Sequence, residues 1–122
     1  KQFGRTLSKF QAIQHQISEM AVELSASSAA LSAVGNTDEA NKKFQDIAIL
    51  KIRAGIAAGK IIAISHQVHG AIGFTQEYEL AYFTRNLNSW RNDFGNEVFW
   101  QNLIGRNFLE KNNQNLWEYL TY

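Results

Sequence analysis

The stretch FQAIQHQISEMAVELSASSAALSAVGN, residues 10–36, indicates the fold more clearly than any other part of the chain. Its apolar residues recur at steps of three and four, the spacing of one face of an α-helix. They are Phe10, Ile13, Ile17, Met20, Ala21, Leu24, Leu31 and Val34. Ser8 and Gln11 match a capping box before this stretch, and Gly35 followed by Asn36 provides a stop after it. The stretch therefore predicts one long helix.

A second long helix is predicted to begin at a cap on Asn36 or Thr37 and to continue to about His69. The sequence Gly70-Ala71-Ile72-Gly73 is expected to break it. Residues 47–64 are apolar on more than one face, which is typical of a helix buried in a bundle or between subunits.

The remaining sequence predicts shorter helices. The third is expected from a cap at Thr75 to Leu87, with an interruption over residues 88–95. The fourth is expected to start near Asn96 and to fray after residue 111, leaving a tail anchored by Trp117. No apolar run has strand spacing. We therefore predict an all-α, antiparallel up-and-down bundle that is one helix short, which an upstream helix or another subunit would complete.

Composition excludes several classes of protein. The chain has 122 residues, of which 45% are hydrophobic and 19% charged, so one globular domain over residues 1–122 is expected rather than a disordered segment. Twelve Lys and Arg against eleven Asp and Glu give a net charge of +1, which argues against a nucleic-acid partner. The absence of cysteine excludes disulfides and thiolate sites. No membrane span is predicted, and the lack of an initiator Met or a signal-peptide pattern suggests an excised part of a longer cytoplasmic protein.

Short catalytic and metal-binding motifs, taken one at a time, give little evidence of function. His66 and His69 are three residues apart, and His15 lies on another predicted helix, but no HExxH motif or paired Glu-x-x-His motif accompanies them. No metal site is therefore predicted. Gly-x-Ser-x-Gly, GxGxxG and P-loop sequences are absent as well. From the residues alone, a non-enzymatic helical interaction or oligomerisation domain is the better interpretation.

Two segments together change that interpretation. QFGR at residues 2–5 precedes FQAIQH at residues 10–15, and HQVHGAIGFTQEYEL follows at residues 66–80. This combination closely resembles the C-terminal helical domain of the acyl-CoA dehydrogenase family, in a bacterial branch. The resemblance covers nearly the whole chain. In that family a helical domain and a β-rich domain precede this one, and the first bundle helix ends at the Gln-Phe-Gly motif.

The resemblance implies a function for the full-length parent. It implies an oxidoreductase of fatty acid metabolism that uses FAD to desaturate acyl-CoA thioesters between the α and β carbons. It also implies an electron-transfer acceptor and a homo-oligomer, dimer or tetramer, and it implies that the isolated domain is inactive. A flavin monooxygenase-type relative of the same fold is an alternative. The resemblance places flavin contacts on Gln2, Phe3, Phe10, Gln11, Gln67, Val68, His69, Gly70 and Ala71. The last five would approach the FAD of the partner subunit.

The catalytic base is where this chain departs from the family. Many members carry a base Glu followed by Gly after the third bundle helix, and the matching position here is Phe94, followed by Gly95. Phenylalanine cannot accept a proton. Asp93 is the nearest carboxylate, and a solvent-exposed loop residue is its simpler interpretation. The resemblance therefore implies a base on the preceding helix, or a branch without dehydrogenase activity.

Overall fold

A computed structural model describes residues 10–72, 77–111 and 115–121 of the chain. This part contains five helices and no strand: α1 (Gln11–Gly35), α2 (Ala40–Ile72), α3 (Glu77–Asn92), α4 (Glu97–Glu110) and α5 (Leu116–Thr121). The predicted all-α class is confirmed. None of the described helices combines the length and apolarity needed to cross a membrane.

Helices α1 and α2 form an antiparallel hairpin. Near its turn, the Thr37 hydroxyl donates a hydrogen bond of 2.6 Å to Asp46 Oδ2. Farther along, Lys60 Nζ donates to Glu23 Oε1 at 2.6 Å. Glu23 is only 6% exposed, and it also forms an ion pair with Arg53 of α2. A buried carboxylate needs such partners, because desolvation of an unpaired charge is costly.

Helix α2 is the centre of the fold, because α1, α3 and α4 all pack on it. Helix α3 covers its C-terminal half, where His66 Nε2 lies 2.9 Å from Thr84 Oγ1. Helix α4 then continues toward its N-terminal half, where the rings of Phe44 and Trp100 are 6.3 Å apart. Both helices thus run antiparallel to α2, one after the other. The bundle is three layers thick, with α3 and α4 sharing the third layer.

The core consists mostly of small side chains, with one large aromatic, Tyr119. The buried hydrophobic residues among those described are Ala48, Ala57, Ala58 and Tyr119. Small residues let the helix backbones approach closely, but they bury little area. Large apolar side chains remain exposed: Ile17, Val22, Leu24, Leu31, Tyr82, Phe83, Trp90, Phe94, Val98, Phe99, Leu109, Leu116, Trp117 and Leu120. These exposed side chains lie on α1, α3, α4 and α5 and in the α3–α4 turn.

Several predicted boundaries are wrong, for local reasons. The second helix does not break at Gly70 but continues to Ile72. The third does not end at Leu87 but continues to Asn92. There the Asn92 side chain donates a hydrogen bond of 3.0 Å to the carbonyl oxygen of Asn88, one turn earlier in the helix.

Of the predicted helix caps and the predicted C-terminal anchor, some are confirmed and others are not. Helix α4 begins as predicted, with Asn96 as N-cap accepting from the amide of Phe99 at 3.0 Å. The C-terminal tail is helical, and its anchor is Tyr119, 2% exposed, rather than Trp117, 72% exposed. At the other end Phe10 is the N-cap of α1, whereas the predicted cap Ser8 and the predicted third-helix cap Thr75 lie outside the described residues.

Candidate functional site

The residues singled out as flavin contacts lie at one end of the α1–α2 hairpin. Phe10 and Gln11 are at the start of α1, and residues 67–71 are in the last turns of α2. The contact of Ser65 Oγ with Met20 Sδ, at 3.6 Å, shows that these helix ends run side by side. Gln2 and Phe3 lie outside the described residues. The fold therefore brings the two described groups to the same end of the molecule.

His69 is held in a defined orientation at this end. Its Nδ1 lies 2.8 Å from the carbonyl oxygen of Ser65, one turn earlier in α2. A carbonyl can only accept, so Nδ1 must carry the hydrogen, and in the neutral ring Nε2 is then an acceptor. His69 is half-buried, as is its neighbour Val68.

Gly70 lies in α2 with ordinary helical geometry rather than in a turn. It is exposed, and no atom of the described residues lies within 4 Å of a Cβ added there. Ala71 follows it in the helix. As far as the described residues go, a ligand could therefore approach the helix backbone at Gly70 without meeting a side chain.

The chemistry of this end suits the polar parts of a flavin dinucleotide. Gln11 and Gln67 are exposed and offer both amide donors and carbonyl acceptors, and His69 Nε2 adds an acceptor. Ribityl and ribose hydroxyls need such acceptors, and phosphate oxygens need such donors. These residues would hold the cofactor from one side only, because nothing in the described part encloses it.

The other two imidazoles have partners outside this group. His66 pairs with Thr84 of α3, as described above, and His15 Nε2 lies 3.2 Å from Glu19 Oε1 on the surface of α1. No set of three His, Asp or Glu side chains that could hold a metal ion occurs within residues 10–72, 77–111 and 115–121.

Phe94 lies in the turn between α3 and α4, and its backbone is unusual. It has φ of 57°, in the left-handed region that side chains other than Gly rarely adopt. Its side chain is 93% exposed. Gly95 follows with φ of 93°, and a Cβ there would lie 2.4 Å from Phe99 Cδ1, so this turn requires a glycine. Asp93 is exposed.

Polar side chains from two helices hold this turn. Lys51 Nζ of α2 donates to the carbonyl oxygen of Asp93 at 2.7 Å. The indole Nε1 of Trp100 in α4 donates to the carbonyl oxygen of Phe94 at 3.0 Å. The conformation of Phe94, which costs about 1–3 kcal/mol, is therefore imposed by surrounding structure.

An ion pair joins the two helices beside the turn. Arg91 Nε donates to Glu97 Oε2 at 3.0 Å, and Nη2 contacts Oε1. Hydrogen bonding from Arg91 holds the pKa of Glu97 below its usual range against the opposing effect of desolvation, with a smaller contribution from the charge of Lys51. The same hydrogen bond raises the pKa of Arg91.

Two glycines of α2 make room for this pair. A Cβ on Gly55 would lie 2.7 Å from Glu97 Oε2, and one on Gly59 would lie 3.1 Å from Arg91 Nη1. We call Lys51, Gly55 and Gly59 the α2 seat. They are spaced by four residues and therefore form one row on the helix surface.

The structure does not bring the hairpin end and the Phe94 turn together. Lys51, which contacts the turn, precedes His69 by 18 residues of α2, or about 27 Å. Phe94 and Asp93 were predicted from the sequence, whereas Lys51, Arg91 and Glu97 were not. The four-residue spacing of Lys51, Gly55 and Gly59 was the available signal, although it does not identify the partner helix.

Comparison with known proteins agrees with the motifs. The model of the family described as "Acyl-CoA dehydrogenase, C-terminal domain" matches residues 1–109. A glutaryl-CoA dehydrogenase of Desulfococcus multivorans is 35% identical over 92 residues, which are 74% of this chain and 24% of that protein.

Two further relatives are named for other reactions of CoA thioesters. The caffeyl-CoA reductase-Etf complex subunit CarC of Acetobacterium woodii is 28% identical over 112 residues, 91% of this chain and 30% of that protein. A 3-sulfinopropanoyl-CoA desulfinase of Paraburkholderia xenovorans is 32% identical over 87 residues, 70% of this chain and 22% of that protein.

No solved structure matches the chain. The chain spans less than a third of the length of these relatives. The family match covers all the candidate residues discussed above, from Gln2 to Phe94. The chain therefore belongs to the acyl-CoA dehydrogenase family, as its C-terminal domain.

Proposed function

We propose that this chain is the C-terminal domain of an FAD-dependent, cytoplasmic acyl-CoA dehydrogenase and that it is inactive without the rest of the parent protein. The observation that carries the proposal is the family match over residues 1–109. The names of the three relatives support the substrate class, because each contains a CoA thioester. Their reactions differ, so the substrate class has broader support than the direction of the reaction.

The hairpin end is proposed to contact the flavin. When bound, FAD supplies the two-electron acceptor for the acyl chain. Gln11 and Gln67 would hydrogen-bond its polar groups, and His69 would accept a hydrogen bond through Nε2. The remaining contacts, from Gln2, Phe3, Phe10, Val68, Gly70 and Ala71, rest on the family motif. Residues 67–71 are proposed to face the FAD of a partner subunit, which agrees with their distance from the Phe94 turn.

A further part of this proposal is that the parent is a homo-oligomer, dimer or tetramer. Helices α1 and α2 flank an open groove lined by Val22, Ala63 and Ile64, among others. The exposed large side chains of α3 to α5 add more apolar surface. An upstream helix and partner subunits would cover this surface in the parent. The relative named as part of an Etf complex supports an electron-transfer protein as a further partner.

The catalytic base is proposed to lie outside this chain. Phe94 occupies the position of the usual Glu, and Asp93 is exposed, with its carbonyl oxygen held by Lys51. In the full-length protein, Asp93→Asn should therefore retain nearly normal flavin reduction by acyl-CoA under anaerobic conditions. General-base catalysis contributes about 10²–10⁴-fold, so a drop of more than about a hundredfold with FAD still bound would make Asp93 the base.

The deciding experiment is the visible spectrum of the purified full-length protein. An oxidised-flavin band that bleaches on anaerobic addition of acyl-CoA is the expected result. A colourless protein that also fails to bind added FAD would contradict the proposal. It would favour the alternative function, a non-enzymatic helical interaction domain. A flavin that acyl-CoA does not bleach would favour the monooxygenase-type alternative. Gly70→Val gives a finer test, because loss of FAD with unchanged helical content would locate the cofactor beside α2.

A further inference from the structure

A polar cavity lies between the first turn of α2, the end of α4 and helix α5. Its volume is about 540 Å³, within the range typical of small-molecule sites. Helix α5 forms one wall, where the ring of Tyr119 packs on Phe108 at 5.3 Å and its hydroxyl donates to Asn107 Oδ1. The described lining includes none of the proposed flavin contacts and no residue of the Phe94 turn. The cavity is therefore a separate feature of the fold.

Gln45 places a buried amide group at this cavity. The residue lines the cavity and is only 8% exposed. Within residues 10–72, 77–111 and 115–121, no hydrogen bond forms to its side chain. A buried polar group without a partner costs about 1–3 kcal/mol, whereas a polar ligand in the cavity would supply the missing partner. Gln45 is therefore the residue that points most directly to a bound polar molecule.

The start of α2 adds unpaired donors. Its first intrahelical hydrogen bond runs from the amide of Lys43 to the carbonyl oxygen of Glu39 at 2.8 Å, so the amides of residues 40–42 lie before it. No described side chain accepts from these amides. Such amides and the helix dipole favour a negatively charged group. Lys42 lies in the same turn and lines the cavity, so this side of the cavity suits a carboxylate.

The charges around the cavity balance. Lys42 and Lys111 supply two cations, and Glu39 and Glu118 supply two carboxylates. The Lys111 ammonium is placed over the ring of Tyr119, 5.7 Å from its centroid. In the described part of the chain, none of the four charged groups forms an ion pair. A plain anion would meet the two carboxylates and a plain cation the two lysines, so the lining is complementary to a ligand that carries both charges.

We propose that this cavity binds an α-amino acid in its zwitterionic form. The carboxylate lies at the start of α2, where Lys42 and the amide of Gln45 donate to it. The ammonium group faces Glu118 on α5. Binding does not depend on the flavin, because the lining residues are not among the proposed flavin contacts.

The test is calorimetric titration of the full-length protein with three probes of the same size. L-alanine carries both charges, propionate lacks the ammonium group, and ethylamine lacks the carboxylate. Gln45→Leu keeps the volume of the side chain and removes its amide, and Lys42→Met removes a cation at an exposed position without a change in the interior. Lys43→Met, at an exposed lysine of the same turn outside the cavity lining, is the matched control. Circular dichroism verifies the helical content of each variant.

We expect saturable binding of L-alanine in the millimolar range, with propionate and ethylamine each weaker by about tenfold or more. Gln45→Leu and Lys42→Met should each weaken L-alanine binding by about tenfold, the scale of one charge-assisted hydrogen bond, and Lys43→Met should match the wild type. Absence of L-alanine binding to the wild type would overturn the proposal. Propionate binding as tight as that of L-alanine would overturn it too, since the cavity would then be an anion site. Unchanged L-alanine binding in both Gln45→Leu and Lys42→Met would place the amino acid elsewhere on the protein. A parent without flavin would contradict the proposed function and leave these outcomes unaffected.

Discussion

Arg91 and Glu97 form an ion pair across the α3–α4 turn, with Arg91 Nε donating to Glu97 Oε2 at 3.0 Å. The side chains are only 29% and 14% exposed, because they lie against the glycines of the α2 seat. Glu97 is also in the first turn of α4, where the helix dipole favours a negative charge. The pair therefore links three helices at one point.

A double-mutant cycle should measure this link. Arg91→Met, Glu97→Gln and the double variant are expected to give a coupling free energy of about 1 kcal/mol, since the pair is partly shielded from solvent. His15 and Glu19 provide the control, because their side chains are 76% and 54% exposed. Their coupling at neutral pH should be close to zero. Equal coupling for both pairs in chemical denaturation would contradict the shielding argument.

Acid should weaken the same contact. The pKa of folded Glu97 is lowered, first by the hydrogen bond from Arg91 and, less strongly, by the charges of Arg91 and Lys51. A group with a lowered folded pKa stabilises the protein above its unfolded pKa, about 4.3 for Glu, and this contribution is lost as the pH falls through the folded pKa. The stability difference between wild type and Glu97→Gln should therefore stay constant from pH 7 to about pH 5 and shrink as the pH falls below about 4.3. A difference independent of pH would show that Glu97 acts by packing alone.

Gly55 and Gly70 are a matched pair of helical glycines in α2. Gly55→Ala places a Cβ 2.7 Å from Glu97 Oε2, so the carboxylate must move and the free energy of unfolding should fall by about 1–3 kcal/mol. At Gly70 no atom of the described residues lies within 4 Å of the added Cβ, so Gly70→Ala should raise the free energy of unfolding by about 0.5–1 kcal/mol, because alanine favours the helix. Denaturation of both variants checks the signs. If Gly55→Ala left the free energy of unfolding unchanged, the Glu97 side chain could move away from the α2 seat without cost.

Phe94→Asn should stabilise the protein. Asparagine tolerates left-handed backbone better than phenylalanine does, and the ring, being 93% exposed, contributes little burial. We expect a gain of about 1 kcal/mol in the free energy of unfolding. A loss of stability on denaturation would show that the ring packs against another part of the parent.

Loss of Arg53 should lower the free energy of unfolding more than loss of Lys60, although both side chains pair with Glu23. The side chain of Arg53 is 29% exposed and that of Lys60 is 58% exposed. Water can replace Lys60 more easily, so Arg53→Met should cost about 1–3 kcal/mol and Lys60→Met about 1 kcal/mol or less. Urea unfolding of the two variants compares them directly. A larger cost for Lys60→Met would reverse this ranking.

Most of the helical fold could be predicted from periodicity and caps. Asn96 begins α4 as expected, because its side chain accepts from the helix amide that a cap must satisfy. The end of α3 could not be predicted in this way. Its last turns are rich in Asn, and Arg91 there pairs with Glu97 of α4 beyond the turn. This contact between two helices supports the end of α3 and cannot be seen in local sequence patterns.

The candidate site was predictable to a lesser degree. The family resemblance predicts candidate positions at the hairpin end and at Phe94, but it does not predict the contacts that hold them. Gly70 illustrates the difficulty, since a glycine before Ala-Ile-Gly suggests a helix stop and yet lies within α2. Likewise, Tyr119 anchors the C-terminal helix because its hydroxyl donates to Asn107 Oδ1 at 2.7 Å, a partner that Trp117 does not share. Sequence spacing carries no information about which aromatic finds such a partner.

The ion pairs of Glu23 fix the register of the α1–α2 hairpin. Sliding α1 along α2 by one helical turn, about 5.4 Å, would take the carboxylate away from both cations and leave it buried without compensation. Apolar contacts between two such helices would otherwise tolerate neighbouring alignments, because their small residues repeat along the interface. One buried charge therefore selects a single alignment. Relatives that lack an acidic residue at position 23 should consequently also have lost the cation at position 53.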